Sequence, residues 1–123
     1  MVVFYMLLFL FVKHFICDFP LQAYSWLYLN KGKYGHLGGI MHSLIHGLGT
    51  FLVMSYWLGL SALLFGLLDM LIHYHIDWLK MNVNNKYNLK PDNSEWFWIF
   101  LGFDQLLHHI TYFGLVALYL NNI

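Results

Sequence analysis

Arginine is absent from this 123-residue chain, glutamate occurs once, at Glu95, and cysteine once, at Cys17. Without a second cysteine a disulfide within the chain is excluded, and the redox compartment stays open. A lone glutamate also excludes the paired Glu-x-x-His motifs of ferritin-like diiron bundles. Charge of either sign is scarce, at 10% of residues with a net charge of zero. The chain therefore offers no basic face for nucleic acid, and no such partner is expected. No soluble domain, linker or long repeat is found along it.

Apolar residues take the place of charge, making up 60% of the chain, far above the average for a soluble domain. Apolar stretches cover residues 2–28, 38–58, 60–79 and 96–120, each near the ~20 residues that cross a bilayer. The expected fold class is all-α: one polytopic membrane domain over residues 1–123, a four-transmembrane-helix bundle with a polar His/Asp interior and the lipid bilayer as its partner. No basic region precedes the first stretch and no small-x-small pattern follows it, so it is expected to remain as a span rather than act as a cleaved signal. Lys31 and Lys33 lie between spans one and two, and Lys80, Lys86 and Lys90 at the connection of spans three and four. The positive-inside rule then places both connections in the cytoplasm and both termini outside it.

Pro20 removes a backbone donor and is expected to break the first span near Asp18, with a second helical piece running on to Leu29. Gly35, Gly39, Ser43 and Gly47 form a small-xxx-small stripe along span two, suited to close helix packing. Asp92, three residues before Glu95, resembles a capping box opening span four.

Each span carries a polar pair four residues apart: His14/Asp18, His42/His46, Asp69/His73 with Asp77 continuing the row, and Asp104/His108. Residues four apart share one helix face, so each helix offers two side chains to the same point. A carboxylate at mid-membrane costs roughly 2.5 to 3.5 kcal/mol, about 10 kcal/mol for the four aspartates together. Two divalent cations would balance four carboxylates, with the histidines as neutral nitrogen ligands. His14, Asp18, His42, His46, Asp69, His73, Asp77, Asp104 and His108 are thus the expected ligands of two transition-metal ions, zinc or manganese by donor type. Asp18 is also placed to cap the helical piece after Pro20, and Asp77 to pair with Lys80. Gln22, Gln105 and Thr111 are placed to orient ligands. His36, His75 and His109 fall off the ligand rows. Lys13, deep in span one, either snorkels, meets a substrate phosphate or pairs with an aspartate.

Lys13-His14-Phe15 with Asp18-Phe19-Pro20-Leu21-Gln22, Tyr34-Gly35-His36, His42, His46-Gly47, Asp69, His73-Tyr74-His75-Ile76-Asp77-Trp78, Asp104-Gln105, His108 and Thr111-Tyr112 together resemble the domain-of-unknown-function 3307 family over nearly the whole chain. The resemblance implies a small polytopic membrane protein of bacteria or phages, without an established activity. A more distant likeness of pattern is to inner-membrane metal-dependent hydrolases. The expected function is therefore a membrane-embedded dimetal hydrolase of a phosphoester or similar bond in a lipid-linked or amphiphilic substrate, with Asp77 or Asp104 accepting a proton and Lys13 meeting phosphate. Competing readings are a cation transporter completed by a second copy of the chain, a redox metal protein, or a phage protein acting on the host envelope.

Overall fold

The computed structural model describes residues 1–122. Its elements are α1 (Val2–Asp18), α2 (Ser25–Leu29), α3 (Leu37–Leu58), a 3-10 turn (Gly59–Ser61), α4 (Ala62–Lys86) and α5 (Glu95–Asn121), with no strand among the described residues. The all-α class expected from the sequence is what the structure has. α1 packs on α3, α3 on α4, α4 on α5, and α5 returns to α1, closing a ring of four helices with α2 laid against α3.

Local sequence explains the breaks. α1 ends at Asp18, two residues before Pro20, where the ring of proline disfavours a continuing helix. The following residues are spent in a turn, so the second helical piece is only Ser25–Leu29, shorter than expected. His36 caps α3, its Nδ1 accepting from the Gly38 amide at 3.0 Å. The cap of α5 is Ser94, whose Oγ accepts from the Trp96 amide at 3.2 Å, and not Asp92 as the capping-box pattern suggested. Pro91 and Asn93 explain the difference: Asn93 Oδ1 accepts from the Lys90 amide, holding residues 90–93 in a turn ahead of the helix.

Of the expected stripe of small residues, Gly39 and Gly47 meet α4, while Gly35 precedes α3 and has nothing within 4 Å. A Cβ added at Gly47 would lie 2.7 Å from the Gly66 carbonyl oxygen, and one added at Gly66 would lie 2.6 Å from that of Gly47. The two backbones touch there, which only glycine on both sides allows.

Polarity inside the ring is inverted relative to a soluble domain. Among the described residues fourteen buried side chains are polar or charged and ten are apolar. The apolar cluster, including Met6, Leu10, Met54, Phe65 and Leu115, fills the end of the ring near the 3-10 turn. Lys13 and the histidines and aspartates fill the rest, while large apolar side chains such as Phe4, Phe15, Leu52, Leu63, Leu71 and Phe113 are exposed on the outside. Of the four expected spans, the helical run Leu37–Lys86, comprising α3, the turn and α4, is the one long and apolar enough to cross a membrane among the described residues. α1, at 17 residues, reaches about 25 Å. α5 has 27 residues but interleaves Asp104, Gln105, His108 and His109 with its aromatics.

Gly47→Leu should therefore lower the melting temperature sharply, because backbone cannot move away from the new Cβ. Gly114→Ala, where nothing lies within 4 Å, should leave it unchanged or raise it by up to the ~1 kcal/mol that separates the two residues in helices. Equal melting temperatures for the two variants would show that the contact is not close.

Candidate metal centre

The ring brings the polar rows of all four long helices to one place. Asp18 from α1, His42 and His46 from α3 and His73 from α4 form one group of potential ligand atoms, all within 4.8 Å of one another and all buried. His73, Asp77 and His108, from α4 and α5, form a second group that shares His73 with the first. Both groups could hold a metal ion.

In the first group Asp18 Oδ1 lies 3.0 Å from His46 Nε2, 3.2 Å from His42 Nε2 and 3.8 Å from His73 Nε2. His42 Nε2 and His73 Nε2 are 3.2 Å apart. Ligands at 2.0 to 2.2 Å from a shared ion sit roughly 3 to 3.6 Å from each other, so these spacings suit one. The rings of His46, His73 and His108 are stacked, with centroids 3.6 and 4.0 Å apart.

Asp77 joins the groups. Its Oδ1 is 3.2 Å from His108 Nε2, and its Oδ2 is 3.2 Å from both His42 Nε2 and His73 Nε2. Lys31 Nζ is 3.0 Å from the same Oδ2. None of these three contacts to Oδ2 has hydrogen-bond geometry, so Lys31 meets Asp77 as an ion pair. Asp104 Oδ1, 3.3 Å from His108 Nε2, is likewise without a hydrogen bond.

The remaining expected ligands divide. His14 adjoins the first group, its Nε2 3.1 Å from Asp18 Oδ2 and its Nδ1 2.7 Å from Tyr112 Oη. Asp104 adjoins the second through His108. Asp69 does not enter either group: its Oδ2 accepts from Lys13 Nζ at 2.7 Å and from the Thr50 hydroxyl. Lys13 is consumed there as well, donating also to Tyr112 Oη at 3.1 Å and to the His46 carbonyl at 3.3 Å. Of the orienting candidates, Gln105 serves three partners, donating to Asp18 Oδ2 and Asp104 Oδ2 at 3.1 and 3.2 Å and meeting His14 Nε2 at 2.9 Å. Gln22 donates to the Asp18 carbonyl, while Thr111 bonds only its own helix at Leu107. His75 is exposed and pairs with Tyr34, and His109 packs against Phe11.

Sequence reasoning missed Lys31, Thr50 and Tyr112, and it set Lys80 against Asp77, whereas Lys31 takes that place. Lys80 Nζ is 3.1 Å from Asp104 Oδ2, so three lysines partner three of the four aspartates. Tyr112 continues the Asp104/His108 row by four residues and was legible by that spacing. Lys31 had no signal, since it lies outside every regular helix.

An all-helical ring with a buried His/Asp cluster is the class of protein that these observations define. The chain belongs to the family described as proteins of unknown function, DUF3307, whose profile matches residues 6–122. Comparison with curated proteins and with solved structures gives no match.

Lys13→Met alone should destabilise the fold by about 3 to 5 kcal/mol, because Asp69 would remain as a buried charge without its cation. Adding Asp69→Asn should restore most of the loss. Thermal unfolding of the single and double variants measures this, and an additive double variant would show that the pair is not coupled.

Proposed function

We propose that this protein is a membrane-embedded, metal-dependent hydrolase that cleaves a phosphoester in an amphiphilic substrate. The observation that carries the reading is the convergence of His42, His46 and His73 Nε2 on Asp18 Oδ1, the one of the four interior aspartates without a lysine partner. Supporting a bilayer setting is the polarity of the ring: in the most apolar window of Leu37–Lys86 only 22% of the residues are buried in the protein, and the apolar remainder needs a nonaqueous surround. Four spans, one for each long helix of the ring, follow on this reading.

The count of ions differs from the sequence expectation. With three lysines inside, four aspartates leave a formal charge of −1 when the histidines are neutral. One divalent ion takes that to +1 and two would take it to +3, and His73 has a single Nε2 to give to one ion at a time. One resident ion per chain, held by Asp18, His42, His46 and His73, is therefore proposed. Nitrogen and carboxylate donors suit zinc or manganese. Such an ion supplies a Lewis acid for a phosphoryl oxygen and a water of lowered pKa.

The chain's own groups then divide the work. Asp77 and Asp104 each keep one carboxylate oxygen free of hydrogen bonds and can take up a proton. Gln105 fixes Asp18 and His14 in place. Lys13 has no part in the chemistry, being tied to Asp69.

Elemental analysis of protein purified without chelator should find close to one zinc or manganese per chain. Asp18→Asn and His46→Ala should lose it, along with phosphate release from amphiphilic phosphoesters, whereas His75→Ala and His109→Ala should keep both. Wild-type protein that is folded yet metal-free after reconstitution would reduce the cluster to a packing network.

The lysine-bearing connections are proposed to face the cytoplasm. In a Cys17→Ser background, Asn30→Cys should react with an impermeant thiol reagent only from the cytoplasmic side and Asn122→Cys only from the opposite side. Labelling of Asn30→Cys in intact cells would invert the orientation.

A further inference from the structure

At the end of the ring away from the apolar cluster, a cavity of about 90 Å³ opens onto Asp18. That is several times the roughly 10 to 15 Å³ that one water needs. Its polar lining comprises Asp18, Gln22, Lys31, Lys80, Asn84 and Gln105, and Phe97 and Leu101 of α5 form an apolar wall. Lys31 is 3% exposed, and its Nζ pairs with Asp77 by distance while making no hydrogen bond among the described residues. Lys80 Nζ donates a single bond, to Asp104. Each ammonium has three protons to give, so donors are in surplus. Two acceptors facing the same cavity are buried without partners, Gln22 Oε1 and Asn84 Oδ1.

A ligand that satisfies this set must bring negative oxygens for two ammonium groups and hydroxyl protons for two amide oxygens. Burying these groups unpaired is costly, so the requirement is chemical rather than one of shape. We propose that the cavity binds a phosphate monoester carried on a hydroxylated group such as glycerol or a sugar, with the phosphate between Lys31 and Lys80 and the hydroxyls on Gln22 and Asn84. A phosphate monoester has three terminal oxygens to take the protons that the two ammonium groups have not yet given, one more than a carboxylate offers. The inference rests on the proposed function in that the cavity ends on Asp18, a ligand of the proposed ion, and it names the substrate class.

The test uses the full chain in phosphatidylcholine nanodiscs, with metal content and ligand binding by calorimetry measured on the same samples. Glycerol 3-phosphate should bind at least tenfold more tightly than inorganic phosphate, and acetate should not bind. Lys31→Gln and Lys80→Gln should each weaken glycerol 3-phosphate at least tenfold, and Asn84→Leu should remove its advantage over inorganic phosphate. Leu101→Trp, which fills the cavity from its apolar wall and leaves the lysines paired, should abolish binding at an unchanged melting temperature. Nanodiscs doped with phosphatidic acid separate the sources: competition with glycerol 3-phosphate assigns a lipid headgroup, and its absence assigns a soluble ester. Metal-loaded protein that binds neither phosphate compound, or a Leu101→Trp variant that binds like wild type, overturns the inference while leaving the hydrolase reading standing. Phosphate bound with the same lysine dependence by a metal-free wild type does the reverse.

Discussion

Four carboxylates packed among helices with apolar exteriors must each be compensated, and every other feature of the interior answers that demand. Lys13 reaches Asp69 across the ring, Lys31 arrives from a turn to meet Asp77, and Lys80 extends from the last turns of α4 to Asp104. Of these four only Asp18 lacks a lysine, and four imidazoles lie within 3.8 Å of it, against three around Asp77. Desolvated ion pairs contribute little net stability over apolar packing, but losing one partner is costly, which ties the fold to the full set.

Close packing makes that compensation attainable. Glycines on facing helices let α3 and α4 approach until their backbones touch, which sets His42 and His46 against His73. Gly49 plays the same part for α1: a Cβ there would lie 2.7 Å from Lys13 Cγ, so the lysine stem crosses α3 where a side chain is missing. Bulkier residues at these points would push the ligand rows apart even though none touches the cluster.

Periodicity made the helices and most of the cluster legible. Rows at i,i+4 identify faces, and eight of the nine expected ligands lie in or directly beside the two groups. Asp69 went elsewhere because period alone gives direction around a helix and not height along the ring; at its level the neighbours are Lys13 and Thr50. Lys31 was read from its position as a charge of the cytoplasmic connection, and Lys80 as a partner for Asp77. Lys31 is instead folded inward by the turn that leads into α3, a tertiary outcome that no local pattern announces. Ser94 displaced Asp92 as the cap of α5 for a related reason, since the turn set by Pro91 and Asn93 decides where the helix can begin.

His73 is the last residue of the first ligand group in chain order, and Asp18, His42 and His46 all precede it. That group draws nothing from α5, which contributes His108 to the second group and closes the ring between α4 and α1. During synthesis the four residues of that group are thus all made before α5 is. On the proposed reading a nascent chain can therefore meet an ion before α5 exists, and α5 then acts as the door that shuts behind it.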